Sequence, residues 1–343
     1  MGKAWLVVMV MAVFVLTAAD TSYASVKAKI TTETFNIASP DPGIKLYLRN
    51  KYLLGAKMFA GEKIVLFVHG ASYPSETMFD IALPGGSWMD YAAERGYDTY
   101  MLDIRGYGLS TRPPAMEVPP DRNPAFATTA DAWKDVGAAV DFILKRRNVS
   151  KINLVGWSWG TTIMGGYAGR NNDKVVKLVL YAPLWCLKDP PPFSGTGAYR
   201  SITREGARAR ALGGIPAARR EEISPQAWFD KWWEANLASD PAGARQTPPV
   251  VRAPNGVLQD ATQFWGKRQP MYDPSLIKVP TLLILGEWDQ DTPPFMAQEV
   301  FTRLTNTPYK RQEILAEGTH MMAVEKNRMD LIKEIERFLD ERR

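Results

Sequence analysis

The sequence has few of the residues that cross-link a chain or bind a structural metal. Cys186 is its single cysteine, so no disulfide can form within the chain. His69 and His320 are its two histidines. A structural zinc site of the usual type needs four cysteine or histidine ligands, more than these residues can supply. The sequence therefore excludes a disulfide framework and such a zinc site.

The sequence also lacks the motifs that bind nucleotides and nucleic acids. Neither the Gly-x-Gly-x-x-Gly sequence nor the P-loop sequence occurs in it. The formal net charge is only +5 over 343 residues, and no run of lysine and arginine resembles a nucleic-acid tract. With 45% apolar and 23% charged residues, the composition is that of a globular protein. We expect no nucleic-acid partner.

Residues 1–24 have the pattern of a signal peptide. Lys3 supplies a positive start, residues 4–19 are almost wholly apolar, and Ser22-Tyr23-Ala24 places small residues where a signal peptidase cleaves. We expect cleavage after Ala24 and an exported protein, either periplasmic or extracellular. The apolar run is shorter than the roughly 20 residues of a membrane span, so no stable span is expected after removal of the signal. An uncleaved N-terminal anchor is the alternative.

Short apolar runs alternate with helical segments along much of the chain. Buried strands are predicted at 64–68, 99–104, 152–155, 175–180 and 281–285, with a weaker strand at 311–315. Helices are predicted at 85–96 and 128–147, and Asp135 in the second is expected to be a surface charge or a cap. Buried strands alternating with helices predict an α/β fold with a mainly parallel, doubly wound sheet.

One segment interrupts this alternation. Residues 186–270 are rich in proline, glycine, arginine and tryptophan and contain no clear strand. The segment follows one core strand and precedes the next, so we predict a helical cap inserted over the edge of the sheet. The core then consists of residues 25–185 and 271–343.

The pentapeptide Gly156-Trp157-Ser158-Trp159-Gly160 joins a predicted strand to a predicted helix. A serine held in so sharp a turn is crowded by the chain on both sides, and a glycine two residues before and after removes the side chains that would clash. The hydroxyl of Ser158 would then be exposed at the carboxyl edge of the sheet, beside a helix N-terminus whose N–H groups stabilise negative charge. Ser158 is therefore the candidate nucleophile.

An aspartate and a histidine follow the last two predicted strands. Asp289 lies just beyond the strand Thr-Leu-Leu-Ile-Leu, and His320 lies in the loop after the next strand. Imidazole can take the proton of a serine and later donate it to a leaving group, and a buried carboxylate fixes the imidazole tautomer. Asp291 is the alternative carboxylate, but Asp289 is nearer the strand end. We predict Ser158, His320 and Asp289 as a catalytic triad.

The pentapeptide and the chain order serine, aspartate, histidine resemble those of a capped serine hydrolase of the α/β-hydrolase superfamily. The resemblance extends over roughly residues 43–340. It implies an esterase- or lipase-like enzyme with a cap between the sixth and seventh core strands, where residues 186–270 fall. In that family a His-Gly-x sequence after an early strand forms part of the oxyanion hole, and here it is His69-Gly70-Ala71. The resemblance thus implies that the N–H groups of Ala71 and Trp159 hold the oxyanion.

The aromatic residues suggest a hydrophobic or aromatic substrate of small to medium size. The candidate substrate-binding residues are His69, Trp157, Trp185, Trp233 and Trp265. For Trp233 and Trp265, which belong to the inserted segment, the alternative is a place in the core of that segment itself.

Our leading hypothesis is a carboxylic ester hydrolase that works through an acyl-enzyme and uses no metal or organic cofactor. The same triad acting on amide or carbon–carbon bonds, or as a cofactor-free perhydrolase, is one alternative. A non-catalytic binding protein on the same fold is another.

Overall fold

Ten strands occur in the part of the chain that the computed structural model describes, which comprises residues 1–2, 29–189 and 197–342. They are β1 (Ile30–Ala38), β2 (Lys45–Leu53), β3 (Ile64–Val68), β4 (Asp98–Leu102), β5 (Ile152–Trp157), β6 (Val175–Tyr181), β7 (Tyr199–Thr203), β8 (Val250–Pro254), β9 (Thr281–Gly286) and β10 (Lys310–Leu315). Residues 3–24 of the predicted signal peptide lie outside the described residues.

Eight of these strands form one sheet in the order β1-β2-β4-β3-β5-β6-β9-β10. β2 pairs antiparallel with both β1 and β4, and every later pair in the sheet is parallel. β3, β4, β5 and β9 are buried along their whole length, because helices cover both faces of a parallel sheet. The predicted α/β fold with a mainly parallel sheet is confirmed.

Eleven α-helices occur in the same part of the chain. They are α1 (Glu76–Phe79), α2 (Trp88–Glu94), α3 (Thr129–Arg147), α4 (Trp159–Arg170), α5 (Arg204–Ala211), α6 (Arg220–Ile223), α7 (Gln226–Ser239), α8 (Pro241–Ala244), α9 (Gly256–Gln263), α10 (Pro294–Arg303) and α11 (Arg328–Asp340). None of these described helices combines the length and hydropathy needed to cross a bilayer.

Two apolar cores lie on opposite faces of the sheet. Successive side chains of a strand point to opposite faces. Leu66 of β3 accordingly joins the core formed with α3, α4 and α10, whereas Val65 and Phe67 join the core formed with α2 and α11. The uninterrupted apolar sequence of β3 thus serves both layers of helices.

Local capping sets the helix boundaries more tightly than the apolar pattern does. The helix predicted over 85–96 begins only at Trp88, because Gly85 and Gly86 have φ of +98° and +99° and Ser87 forms a capping box with Asp90. A second capping box, between Thr128 and Asp131, starts α3 one residue after the predicted start. Both helices exist as predicted, with these shorter bounds.

Asp135 is not a surface charge. Its side chain is fully buried in α3, where Oδ1 accepts from Nη2 of Arg105 at 2.6 Å. Oδ2 also accepts from the backbone N–H of Arg105 at 3.1 Å. The prediction for Asp135 was wrong because its partner lies in a distant loop after β4, where the sequence pattern of α3 gives no sign of it.

The segment between β6 and β9 contains a two-stranded antiparallel sheet that the sequence did not predict. β7 pairs with β8 across an interval of nearly fifty residues, and α5 to α8 lie between them in sequence. β8 is buried throughout although it contains Arg252, whose Nη2 lies 2.7 Å from Oδ1 of the buried Asp240. The arginine breaks the apolar pattern that would have identified the strand, so this part of the prediction was wrong.

Candidate active site

Ser158 lies in the sharp turn between β5 and α4. Its φ of 56° and ψ of −120° are outside the conformations that L-residues prefer. A Cβ added to Gly156 would lie 2.2 Å from the carbonyl O of Gly160, and one added to Gly160 would lie 2.5 Å from the carbonyl O of Val68. Only glycine at both positions permits so close an approach, which holds the serine side chain at the carboxyl ends of the strands.

His320 joins the serine to Asp289. Nε2 of His320 lies 2.9 Å from Oγ of Ser158, and Nδ1 lies 2.9 Å from Oδ2 of Asp289. All three residues are buried. With the imidazole proton on Nδ1, Nε2 can accept the hydroxyl proton of Ser158, and the carboxylate holds the ring in that tautomer. The geometry is that of an activated serine.

Asp289 is fixed by the turn that follows it. The N–H groups of Asp291 and Thr292 donate to Oδ1 at 3.0 and 2.8 Å, and the hydroxyl of Thr292 donates to Oδ2 at 2.9 Å. These donors stabilise the ionised carboxylate and aim it at His320. The carboxylate therefore needs no rearrangement when the imidazole becomes charged.

Asp291, the alternative carboxylate, approaches the histidine from the opposite side. Its Oδ2 lies 3.9 Å from Nε2 of His320 and 2.7 Å from Nε of Arg210. Burial raises the pKa of Asp291, but the charges of His320 and Arg210 outweigh it, so its pKa is lowered from the ordinary value. The structure thus places Asp289 behind the imidazole and Asp291 near the nucleophile.

The turn after β3 lies directly against Ser158. A Cβ on Gly70 would come within 2.9 Å of Cβ of Ser158. Neither the N–H of Ala71 nor that of Trp159, the first residue of α4, has a hydrogen-bond acceptor among the described residues. Two N–H groups beside the serine, one of them at the positive end of a helix dipole, are suited to stabilise an oxyanion.

A family model described as the alpha/beta hydrolase fold matches residues 63–327, which is most of the chain. This chain belongs to the α/β-hydrolase fold family. Human gastric triacylglycerol lipase is 31% identical to it over 121 residues, and that match covers 35% of this chain and 30% of the lipase. The chain therefore spans only about a third of that relative's length.

Two solved structures share the fold over most of the chain. One is a serine hydrolase from Cycloclasticus zankles, a bacterium that degrades polyaromatic hydrocarbons, with a TM-score of 0.59 at 17% identity, covering 90% of this chain and 98% of that one. The other is a mutant potato epoxide hydrolase, with a TM-score of 0.58 at 18% identity, covering 90% of this chain and 99% of that one. Because these names describe different reactions, the likeness establishes the hydrolase fold and leaves the bond to be inferred.

His69 organises two turns beside the candidate active site. Its side chain is fully buried, with Nδ1 lying 2.7 Å from the carbonyl O of Gly70 and Nε2 accepting the N–H of Ile104 at 3.0 Å. Burial lowers the pKa of His69 to about 4. The neutral imidazole, which is hydrogen-bonded at both ring nitrogens, links the turn after β3 to the turn after β4. Its placement gives no support to the predicted contact with substrate.

The four tryptophans predicted to bind substrate are buried in packing. Trp157 donates from Nε1 to the carbonyl O of His320 at 3.0 Å, so it helps to hold the backbone of the histidine in place. Trp233 stacks against Phe229 with ring centroids 6.5 Å apart. The relative exposures are 1% for Trp157 and 2% for each of Trp185, Trp233 and Trp265. Trp157 and Trp233 lie in one of the two cores beside the main sheet, and Trp185 and Trp265 lie in the other, so the structure gives no support to their predicted contact with substrate.

The sequence motifs did not identify Glu325 as a residue that supports the candidate site. It is buried, and its carboxylate accepts the hydroxyl and the N–H of Thr319, the residue before His320. Burial raises the pKa of Glu325 to about 7. Glutamate five residues after a histidine forms no known motif, so only the fold reveals that it anchors the histidine loop.

Glu325→Gln is expected to reduce the dependence of stability on pH. Because the pKa of Glu325 is about 7 in the folded protein and about 4.5 ordinarily, the folded state binds this proton more tightly. The free energy of unfolding should then fall as pH rises from about 4.5 to above 7, by up to roughly 3 kcal/mol. Glutamine cannot ionise and retains an acceptor and a donor for Thr319.

Urea unfolding at pH 5 and pH 8 measures this effect. The stability lost between the two pH values should be smaller in Glu325→Gln than in the wild type by about 2 kcal/mol. Glu62→Gln, at an exposed glutamate, is the control and should lose as much as the wild type. Equal losses in wild type and Glu325→Gln would show that Glu325 is not the titrating group.

A small cavity of about 160 Å³ opens at the histidine. It is lined by Ala209, Arg210, Gly213, Gln290, Asp291 and His320. A larger cavity of about 940 Å³ lies at the amino ends of the strands, between residues such as Lys63, Lys151 and Asp340. Ligands of open α/β sheets bind at the carboxyl ends, so the smaller cavity is the candidate substrate site.

Proposed function

We propose that this α/β hydrolase cleaves carboxylic esters through an acyl-enzyme on Ser158. The observation that supports it is the buried series of hydrogen bonds from Ser158 through His320 to Asp289, with a 2.9 Å contact at each step. Serine is a weak nucleophile unless an adjacent base removes its proton. A serine in place of aspartate at this position argues against the aspartate-nucleophile mechanism of epoxide hydrolases.

In the acylation step, Oγ of Ser158 attacks the carbonyl carbon of the ester while Nε2 of His320 takes its proton. The carbonyl oxygen becomes an anion, to which the N–H groups of Ala71 and Trp159 donate hydrogen bonds. His320 then gives its proton to the departing alcohol oxygen as the ester bond breaks. Asp289 stabilises the imidazolium throughout.

Deacylation repeats this sequence with water as the nucleophile. His320 removes a proton from a water molecule, and the water oxygen attacks the acyl carbon bound to Ser158. The same two N–H groups hold the second oxyanion. Collapse of the intermediate releases the carboxylic acid and returns the proton from His320 to the serine. The overall reaction consumes one water and requires no other reactant.

The prediction of a hydrophobic substrate is no longer supported, because the tryptophans that suggested it are buried. The cavity at His320 is lined by Arg210, Gln290 and Asp291, which favours a polar group near the reacting carbonyl. A volume of about 160 Å³ favours an ester of small to medium size, of which only part enters the cavity.

Labelling by a fluorophosphonate tests the proposal, since this reagent phosphonylates serines that a base activates. The folded protein should be modified at Ser158, as mapped by mass spectrometry of its peptides, and protein unfolded in urea should not react. A series of p-nitrophenyl esters of rising chain length should be turned over. Labelling without ester turnover would point to amide or carbon–carbon bonds, and failure to label would contradict an activated serine.

A further inference from the structure

Two arginines from the inserted segment converge on one hydroxyl beside the candidate oxyanion hole. Nη2 of Arg200, in β7, lies 3.2 Å from Oγ of Ser72, and Nη1 of Arg210, in α5, lies 3.0 Å from the same atom. Ser72 is buried and directly follows Ala71. The two guanidinium groups therefore meet one residue away from a predicted oxyanion donor.

Among the described residues, one carboxylate pairs with these two cations. Nε of Arg210 donates to Oδ2 of Asp291 at 2.7 Å. Arg200 has no carboxylate within 4.0 Å among the described residues, and residues 190–196 contain no acidic residue in the sequence. The remaining acceptors of Arg200 are neutral: the carbonyl oxygens of Ala71 and Pro254 and Oδ1 of Asn255. Within the described part of the chain, the charge of Arg200 thus has no carboxylate beside it.

Three other arginines with little solvent exposure are paired with carboxylates, whereas the hydrogen bonds of the buried Arg328 among the described residues go, like those of Arg200, to neutral oxygens. Arg105, Arg147 and Arg252 each contact an aspartate whose side chain is fully buried. Such pairing offsets the cost of removing a cation from water. Burial lowers the pKa of the Arg200 guanidinium from its ordinary value, and the charge of Arg210 acts in the same direction. An anion arriving from outside would relieve both effects.

The cavity at His320 gives an anion access to Arg210, while Arg200 and Ser72 lie behind its lining residues and are not among them. Arg210, Asp291 and His320 together line the 160 Å³ cavity. A water molecule takes about 30 Å³ in the liquid, so the cavity can admit a group of several heavy atoms. The side chain of Arg210 is 31% exposed, so a second carboxylate can approach it from the cavity.

We propose that Arg200, Arg210 and Ser72 form an anion subsite, and that the ester hydrolysed by this enzyme carries a carboxylate that binds there. A guanidinium matches a carboxylate with two parallel hydrogen bonds, and the Ser72 hydroxyl supplies another donor between the two arginines. The carboxylate belongs to either the acyl or the alcohol half of the ester. The proposal rests on the proposed esterase function and narrows its substrate class.

Two pairs of esters that differ in one charge test the subsite. For the acyl half, mono-4-nitrophenyl adipate is compared with 4-nitrophenyl hexanoate. For the alcohol half, 4-acetoxybenzoate is compared with 4-acetoxybenzamide. In at least one pair, the wild-type enzyme should hydrolyse the anionic ester with a kcat/KM roughly 10- to 100-fold higher, the range for a charged hydrogen bond. Equal or lower values for both anionic esters would overturn the proposal.

Variants separate anion binding from a merely structural role of Arg200. Arg200→Gln and Arg210→Gln should each lower kcat/KM for the preferred anionic ester about tenfold more than for its neutral partner. Arg204→Gln is the matched control, because Arg204 begins the same helix as Arg210 but pairs with Asp230. Arg204→Gln should keep the wild-type ratio of kcat/KM between the anionic and the neutral ester. If Arg200→Gln lowers kcat/KM equally for both esters, Arg200 only stabilises the loop that contains Ala71, and the subsite proposal is overturned.

A measurement of adipate binding tests the subsite independently of the esterase function. Adipate should raise the thermal unfolding temperature of the wild type and of Arg204→Gln, and should not raise that of Arg200→Gln. If no ester is hydrolysed but adipate binds in this manner, the subsite stands and the esterase proposal fails. If neutral esters are hydrolysed, adipate does not bind and no anionic ester is preferred, the esterase proposal stands and the subsite fails.

Discussion

Asp289→Asn is expected to lower kcat for ester hydrolysis by about 10⁴-fold. Asparagine has nearly the same volume, and its amide oxygen can still accept the N–H groups of Asp291 and Thr292. Its nitrogen would then face Nδ1 of His320. Two donors cannot oppose each other, so the imidazole would take the other tautomer, with its proton on Nε2 pointing at Ser158. That tautomer cannot accept the proton of the serine.

Asp291→Asn is the matched comparison for this prediction. Asp291 lies 3.9 Å from Nε2 of His320 and does not contact Nδ1, so the change leaves the imidazole tautomer intact. The expected loss is at most about tenfold, the size of one charge interaction in a partly exposed site. The measurement is kcat with a p-nitrophenyl ester, with Ser158→Ala defining the floor of the assay. A larger loss in Asp291→Asn than in Asp289→Asn would reverse the assignment of the two aspartates.

Gly156→Ala is expected to destabilise the protein by about 3 kcal/mol, at the upper end of what overpacking usually costs. The added Cβ would lie 2.2 Å from O and 2.5 Å from C of Gly160, and 2.9 Å from N of Thr161. All three are backbone atoms, so no side-chain rotation can make room. Relief requires opening the turn that holds Ser158, and activity should fall together with stability.

Thermal unfolding measures this cost, and another glycine provides the control. Gly137 lies inside α3, where an added Cβ would meet only Cε2 of Tyr167 at 3.8 Å, an ordinary contact. Gly137→Ala should stabilise the protein by up to about 1 kcal/mol, because alanine loses less backbone entropy in a helix. If Gly156→Ala unfolds at the wild-type temperature, the close approach at the nucleophile turn is not a constraint.

The elements that the sequence predicted well are those whose cause is local. β3 is identified by five consecutive apolar residues, and α3 by an amphipathic repeat. The turn at Ser158 follows from two glycines spaced around a serine. Each of these signals depends on backbone geometry within a few residues, so each can be interpreted without knowing what packs against it.

The predictions that the structure overturned involve partners far apart in sequence. Asp135 is buried because Arg105 reaches it, and β8 tolerates a buried arginine because Asp240 lies beneath it. Trp185 and Trp265 entered the core rather than a pocket. A tryptophan has the same local pattern in either place, since its surroundings are set by elements that the sequence nearby does not contain.

The sequence by itself determined the sheet, the nucleophile turn and the short list of residues able to form a triad. Only the tertiary structure decided that Asp289 lies behind His320 while Asp291 lies near the serine, although the two are separated by one residue. It also decided that Arg200 and Arg210 meet at Ser72. The physical reason is that the direction of a side chain depends on packing among distant elements, whereas strand, helix and turn formation depends mainly on neighbouring residues.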